Sequence, residues 1–203
     1  MLAGRLADYA DRHDVTVLAL PRGGVPVALP IARALAAPLD ILAVRKLGVP
    51  GHEELAMGAV AVGGVRVLNR DLISRLGIDS LTVDAATRSE RQRLADQQDR
   101  FQGDRPPAPR AGRLVILVDD GLATGSTMEA AIASCRRAGA AGIVVAVPVG
   151  APTTVAHLAT LADEVVCPET PAAFRAVGLA YADFSPVDDD EVVALLNRAV
   201  QPQ

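Results

Sequence analysis

The stretch Leu114-Val115-Ile116-Leu117-Val118-Asp119-Asp120-Gly121-Leu122-Ala123-Thr124-Gly125-Ser126-Thr127 constrains the fold of this chain more than any other. Five consecutive apolar residues predict a buried strand, and two adjacent carboxylates close it. A short run of Gly, Ala and hydroxyl residues follows, and Met128-Glu129-Ala130-Ala131-Ile132-Ala133 predicts a helix. Such a joint gathers backbone N–H groups, hydroxyls and a helix N-terminus around one small concavity. The orphan donors of the first turn and the helix dipole both favour an anion there. Asp119 and Asp120, beside it, can hold hydroxyls or a hard cation. A phosphorylated sugar with Mg²⁺ suits that corner. The bland alternative is an ordinary β–α turn capped by Thr124 or Ser126.

Val118–Thr127 resembles the 5-phosphoribosyl-1-pyrophosphate (PRPP) motif of type I phosphoribosyltransferases: an apolar strand, two acids, a few variable residues, then Thr-Gly-x-Thr. Rival readings lack their second halves. A strand ending in Asp-Asp also fits a Walker B element, but no G-x-x-x-x-G-K-[ST] occurs, and no G-x-G-x-x-G follows a strand. The resemblance implies an α/β fold, a parallel sheet flanked by helices. It implies one domain over residues 1–203, with a flexible loop at about 46–62 and a small hood at about 168–188. It places the 5-phosphate on the Gly121, Leu122, Ala123, Thr124, Gly125, Ser126 and Thr127 segment. Asp119 and Asp120 would hold the ribose hydroxyls and organise Mg²⁺, directly or through water. The implied reaction transfers the phosphoribosyl group to a nitrogen acceptor, a nucleobase or related heterocycle, through an oxocarbenium-like transition state.

A second joint lies earlier in the chain. Val15–Leu20 predicts a strand by its β-branched, apolar content. It runs into Pro21-Arg22-Gly23-Gly24 and then a helix-like segment, Val25–Leu35, in which Pro26 sits harmlessly near the first turn and Pro30 predicts a kink. Paired glycines let backbone approach an anion closely, and Arg22 adds a planar fork of donors. Alone, Arg-Gly-Gly is as compatible with a plain turn. The resemblance implies that Arg22, Gly23 and Gly24 hold the pyrophosphate.

Lys and Arg total 20, yet only Lys46 is a lysine. It stands beside Arg45 after the strand-like Leu39–Val44. A compact ammonium at a strand's end suits a pyrophosphate leaving group, and a chance surface lysine is the alternative. The resemblance agrees, and assigns Arg45 and Lys46, with Asp119 and Asp120, to the catalytic machinery. One departure matters. Many purine-using relatives carry an acid just before the Thr-Gly as general base, and Ala123 stands there. The acceptor is then deprotonated by another group or needs no base.

Between and beyond the joints, strands alternate with helices, which predicts a parallel sheet with its site at the strands' carboxyl ends. Leu47–Leu55 reads as mobile, and Ala59–Val62, Gly63-Gly64 and Val65–Leu68 as a hairpin. By the resemblance this region closes over the reaction centre, carrying His52, Glu53 and Glu54. Residues 70–102 predict a polar helical region with a thin apolar stripe at Val83, Ala86 and Leu94, suited to solvent or to a homodimer contact. Gly103–Gly112 is a proline-rich internal loop. Gly142–Val149 and Glu164–Cys167 predict strands, with a helix over Thr153–Leu161 between them. Asp188–Glu191 predicts an acidic helix start. Three of the five aromatics, Phe174, Tyr181 and Phe184, fall in the C-terminal stretch, where they either stack on the acceptor or pin the segment to the core.

Composition sets the remaining bounds. With 203 residues and 50% hydrophobic content the chain can bury the core of one domain. A formal net charge of -4 and no evident basic face argue against nucleic acid as a partner. Cys135 and Cys167 lack metal-ligand spacing and read as reduced structural thiols. The N-terminus has no signal-peptide core and no apolar run nears the ~18 residues that span a bilayer, so no membrane and a cytoplasmic location are the expectation. Two other functions share these features: a PRPP-binding regulator without turnover, and a phosphosugar hydrolase.

Overall fold

The computed structural model describes residues 2–200, the side chains of Glu54 and Val200 excepted. The chain runs through β1 (Val15–Ala19), α1 (Gly24–Ala34), β2 (Leu39–Ile41), β3 (Val44–Val49), β4 (His52–Ala61), β5 (Val65–Leu68), α2 (Arg70–Leu76) and α3 (Ser80–Gln102). It continues with β6 (Leu114–Val118), α4 (Ser126–Arg137), β7 (Gly142–Ala146), α5 (Pro152–Leu158), β8 (Glu164–Val166) and α6 (Asp189–Val200).

The main sheet has five strands in the order β2-β1-β6-β7-β8, all parallel. Strand order therefore reverses between β1 and β6. In such sheets the crevice outside the carboxyl ends at the reversal is where ligands bind. Alternation along each strand feeds two cores. Val17, Ala19, Ile116, Val118 and Val144 face one side, under α1 and α6. Leu18, Val115, Leu117, Ile143 and Val145 face the other, under α4 and α5. The helices answer with Ile31 and Leu196 on the first face, and with Met128, Ile132 and Leu158 on the second. Burial on both faces is why these strands read as unbroken apolar runs.

Two buried polar side chains of the sheet tie down the proline-rich connector. Thr16 donates to the Pro109 carbonyl at 2.9 Å and accepts from Arg113 Nε at 2.9 Å. Asp40 accepts from the Ala108 N–H at 2.8 Å. Residues 103–112 are thus fastened to the sheet.

Three expectations need correction. The region 46–62, expected as a flexible loop, is mostly paired: β3, β4 and β5 form a second, three-stranded antiparallel sheet, with Lys46 opposite Ala59 and register shifts between Leu47 and Val49. The side chains of Leu47, Met57 and Val60 reach the core and hold it there. The strand expected over 39–44 ends at Ile41, so Lys46 stands on this antiparallel sheet and not at the end of a parallel strand. The helix expected over 25–35 forms as α1, which runs through Pro30 to Ala34. The helical region 70–102 is broken at Gly77, whose left-handed φ of 63° caps α2. Among the described residues no helix is long and apolar enough to cross a membrane.

Candidate active site

The loop after β6 is built from backbone outward. Leu122 donates its N–H to the Val149 carbonyl at 2.9 Å and accepts from Ala151 N–H at 2.8 Å, which locks the loop to the segment after β7. Thr154 Oγ1 donates to the Ala123 carbonyl at 2.6 Å. Gly125 then takes a left-handed conformation (φ 80°) as the N-cap of α4, a backbone state that L side chains rarely adopt. Its carbonyl accepts the Glu129 N–H at 2.9 Å, the first bond of the helix. Among the described residues, the turn and cap bonds take up the N–H groups of Leu122 and Glu129 and none of those from Ala123 to Thr127. Five N–H groups on and before the first turn of α4 are therefore left without a backbone partner, an arrangement that favours an anion.

The loop after β1 packs against the first. A side chain on Gly23 would collide with the carboxylate of Asp120, and one on Gly24 would lie 2.6 Å from the Val118 carbonyl. Close approach of two backbones explains the glycine pair. Gly24 donates to the Leu20 carbonyl at 3.0 Å and Val25 to that of Arg22 at 3.1 Å, so the loop turns directly into α1. Arg22 is half exposed and reaches towards Asp189 at the start of α6, 3.7 Å away.

Asp119 and Asp120 sit at the crevice predicted by the strand reversal. Asp119 Oδ1 accepts the Asp120 N–H at 2.9 Å. Burial, and then the like charge of Asp120, push the Asp119 carboxyl well above the ordinary carboxylate range, against an opposing pull from the Asp120 N–H and Lys46. Burial raises Asp120 as well, while its hydrogen bond with Asp119, the Gly121 N–H and the Lys46 charge draw it back. The pair resists ionisation on its own and gains from a cation or from hydroxyl donors.

Lys46, Asp119, Asp120, Thr124, Gly125 and Thr127 line one small hollow of about 120 Å³. All but Lys46 come from the segment that leaves β6; Lys46 arrives from the second sheet. An adjoining cavity of about 480 Å³ shares Asp120 and is walled by Arg22, Gly23, Val27, Tyr181 and Phe184. Tyr181 and Phe184 pack with ring centroids 5.2 Å apart. The Tyr181 hydroxyl donates to the Asp120 carbonyl at 2.6 Å. Burial, then the charges of Asp120 and Asp119, push that hydroxyl up to about 12, so it stays a donor.

Two expected site residues stand elsewhere. Arg45 directly precedes Lys46 on β3, so it faces the opposite side and pairs with Glu90 of α3 at 2.6 Å. A strand's period of two makes adjacent residues part company, and Arg45 does not line the hollow that Lys46 reaches. Phe174 is not in the wall of the larger cavity, which takes Tyr181 and Phe184 only. Val177, within the expected hood, packs over Gly121. Two further contributors lie outside the sequence reading: Thr154 holds Ala123, and Asp189 faces Arg22. Thr154 and Asp189 are visible as residue types, but only tertiary contacts give them these partners.

The phosphoribosyl transferase domain family matches residues 1–183. A Mycobacterium tuberculosis protein (strain H37Rv) provisionally named a phosphoribosyl transferase, Rv0571c, is 50% identical over 198 residues, which is 98% of this chain and 44% of the relative. The chain thus spans less than half the length of that relative. TT1426 from Thermus thermophilus, known as a crystal structure, is 42% identical with a TM-score of 0.81, covering 98% of this chain and 94% of that one.

Proposed function

This chain belongs to the phosphoribosyl transferase domain family, and from that premise we propose that it transfers the 5-phosphoribosyl group of PRPP to a nitrogen acceptor, a nucleobase or related heterocycle, releasing pyrophosphate. One observation carries the reading: Lys46, the acid pair and the anion-presenting loop converge on a single hollow, and an aromatic-walled cavity adjoins it at Asp120.

The five N–H groups and the hydroxyls of Thr124, Ser126 and Thr127 take the 5-phosphate. Asp119 and Asp120 hold the ribose hydroxyls. Lys46 and the Arg22-Gly23-Gly24 loop receive charge as pyrophosphate leaves, while Arg45 serves the fold through Glu90. The carbon–oxygen bond to pyrophosphate breaks as the acceptor nitrogen closes on the anomeric carbon, so binding and charge stabilisation supply the rate. The acceptor lies against Tyr181 and Phe184.

Mg²⁺ fits these residues. It binds through one or two carboxylates together with substrate phosphates, and here two adjacent carboxylates raised by burial stand beside a phosphate-presenting loop. No group of three or more His, Cys, Asp or Glu gathers among the described residues, so substrate oxygens would complete the coordination. When bound, the ion supplies positive charge to the diphosphate.

The test is acceptor-dependent pyrophosphate release from PRPP and Mg²⁺ across a panel of nucleobases and related heterocycles. Release with one acceptor class and none without it is the expected result. PRPP binding with no release for any acceptor points to a regulator, and phosphate release without an acceptor points to a hydrolase.

A further inference from the structure

A cavity larger than either chamber of the candidate active site lies away from the acid pair. It is a cleft of about 730 Å³ between β5, α3 and the end of α4, lined by Arg66, Arg88, Arg91 and Arg137 with Asp84 and Thr87. It shares no residue with the hollow at Asp119. The two lie at opposite ends of α4, whose 12 residues span about 18 Å.

Four guanidinium groups face one carboxylate in a chain whose formal net charge is -4. Asp84, Thr87, Arg88 and Arg91 fall at helical spacing, one polar face of α3 turned to the cleft. Asp84 is taken up by Arg66 at 2.6 Å, and Arg66 also donates to Thr87 at 3.3 Å. Arg91 is oriented by the Gly64 carbonyl at 3.1 Å. Arg88 and Arg137 have no ion pair among the described residues. A place in the last turn of α4 suits Arg137 by the helix dipole, but it does not explain three more arginines converging from two other elements. Arg91 is thus held with its charge uncompensated, and Arg88 and Arg137 add two more unpaired planar forks, a set suited to phosphate oxygens.

A second hollow, about 330 Å³, opens beside the cleft and shares Arg137 with it. Gln98 and Arg110 line it, and Gln98 Oε1 is buried with no hydrogen-bond partner. Buried acceptors left unpaired are uncommon and call for a donor. The combined space is of the size that small-molecule sites occupy.

We propose that the arginine cleft binds a small polyphosphate anion at a site separate from the Asp119–Thr127 hollow. The chain of phosphates lies among Arg66, Arg88, Arg91 and Arg137. Any nucleoside it carries extends past Arg137 towards Gln98.

Calorimetric titration at low salt with inorganic tripolyphosphate and with ATP tests this. The subjects are the full chain, Arg88→Gln/Arg137→Gln, the charge-keeping Arg88→Lys/Arg137→Lys, and Thr127→Val in the other hollow. The expected result is a loss of at least tenfold in tripolyphosphate affinity for the glutamine pair. The lysine pair should recover most of it, and Thr127→Val should change it less than twofold. ATP binding tighter than tripolyphosphate, with the gap closed by Gln98→Leu, assigns the side hollow to a nucleoside; equal affinity assigns the site to the inorganic chain. Unchanged affinity in the glutamine pair, or a loss in Thr127→Val alone, overturns the proposal. Both outcomes are independent of whether PRPP turns over.

Discussion

Among single residues, Gly23 and Asp119 carry opposite demands. Gly23 is small because the Asp120 carboxylate occupies the space its side chain would fill. Gly23→Ala should displace that carboxylate and cost about 1–3 kcal/mol of stability, the usual penalty of forced overpacking. Turnover should fall with it. Thermal melts beside steady-state kinetics check both, and an unaltered rate would show that Asp120 need not stand where it does. Asp119 is instead a liability to the fold. Its carboxyl titrates well above its ordinary range when folded, chiefly through burial. The folded state is therefore favoured while the group is protonated, and that advantage is lost as pH rises through the folded pKa. Asp119→Asn should raise the melting temperature of the free protein at pH 7–8, with the gain vanishing near about pH 4, the ordinary carboxylate range. The same change should lower turnover by roughly 10²–10³-fold, the effect of losing one preorganised polar contact at a reacting centre. Melts across pH decide the sign: a variant less stable than its parent at neutral pH would contradict the burial argument.

Between elements, β3 separates two cations that stand side by side in the sequence. Lys46→Gln should cost about 10²-fold in turnover with little loss of stability, again by the measure of one lost charged contact. Arg45→Gln should leave turnover within a fewfold and cost at most about 1 kcal/mol, the range for a partly solvated pair. Chemical unfolding and kinetics on both variants give the contrast, and equal kinetic damage would put both side chains at the site. The contrast also marks where sequence reading stops. The Asp119–Thr127 joint is legible because strand, acids, loop and helix are consecutive, so local chemistry defines the site. Arg22-Gly23-Gly24 is legible for the same reason. Lys46 stands out as the lone lysine, but its strand does not. A run holding Gly48, Pro50 and Gly51 looks like a loop until Leu47, Met57 and Val60 are seen to reach the core. Phe174 and Tyr181 are equivalent as aromatics in one loop-like stretch. Only the return of that stretch over Asp120 tells them apart.

For the whole molecule, the parallel sheet with its reversal between β1 and β6 gathers segments from positions 22 to 187 around two adjoining chambers. Alternating strands and helices make that architecture readable, because each parallel connection needs a crossover, usually a helix. The second sheet is less so, since antiparallel ladders need only short turns and leave a weaker mark. If PRPP with Mg²⁺ fills the smaller chamber, it stabilises the folded state by mass action. At a hundredfold excess over its dissociation constant the gain is about 2.7 kcal/mol, which in a domain of this size raises the melting temperature by roughly 5–10 °C. A thermal shift measured with PRPP and Mg²⁺ together, and no shift after Asp119→Asn/Asp120→Asn, is the expected pattern. The Tyr181 hydroxyl bond to the Asp120 carbonyl gives this a sequel. If the smaller chamber takes the donor and the larger the acceptor, this bridge joins the floor of one to the wall of the other, and whichever guest comes first should stiffen the room prepared for its companion. On the proposed function, the two guests should then bind with synergy, each tightening its companion by the same factor.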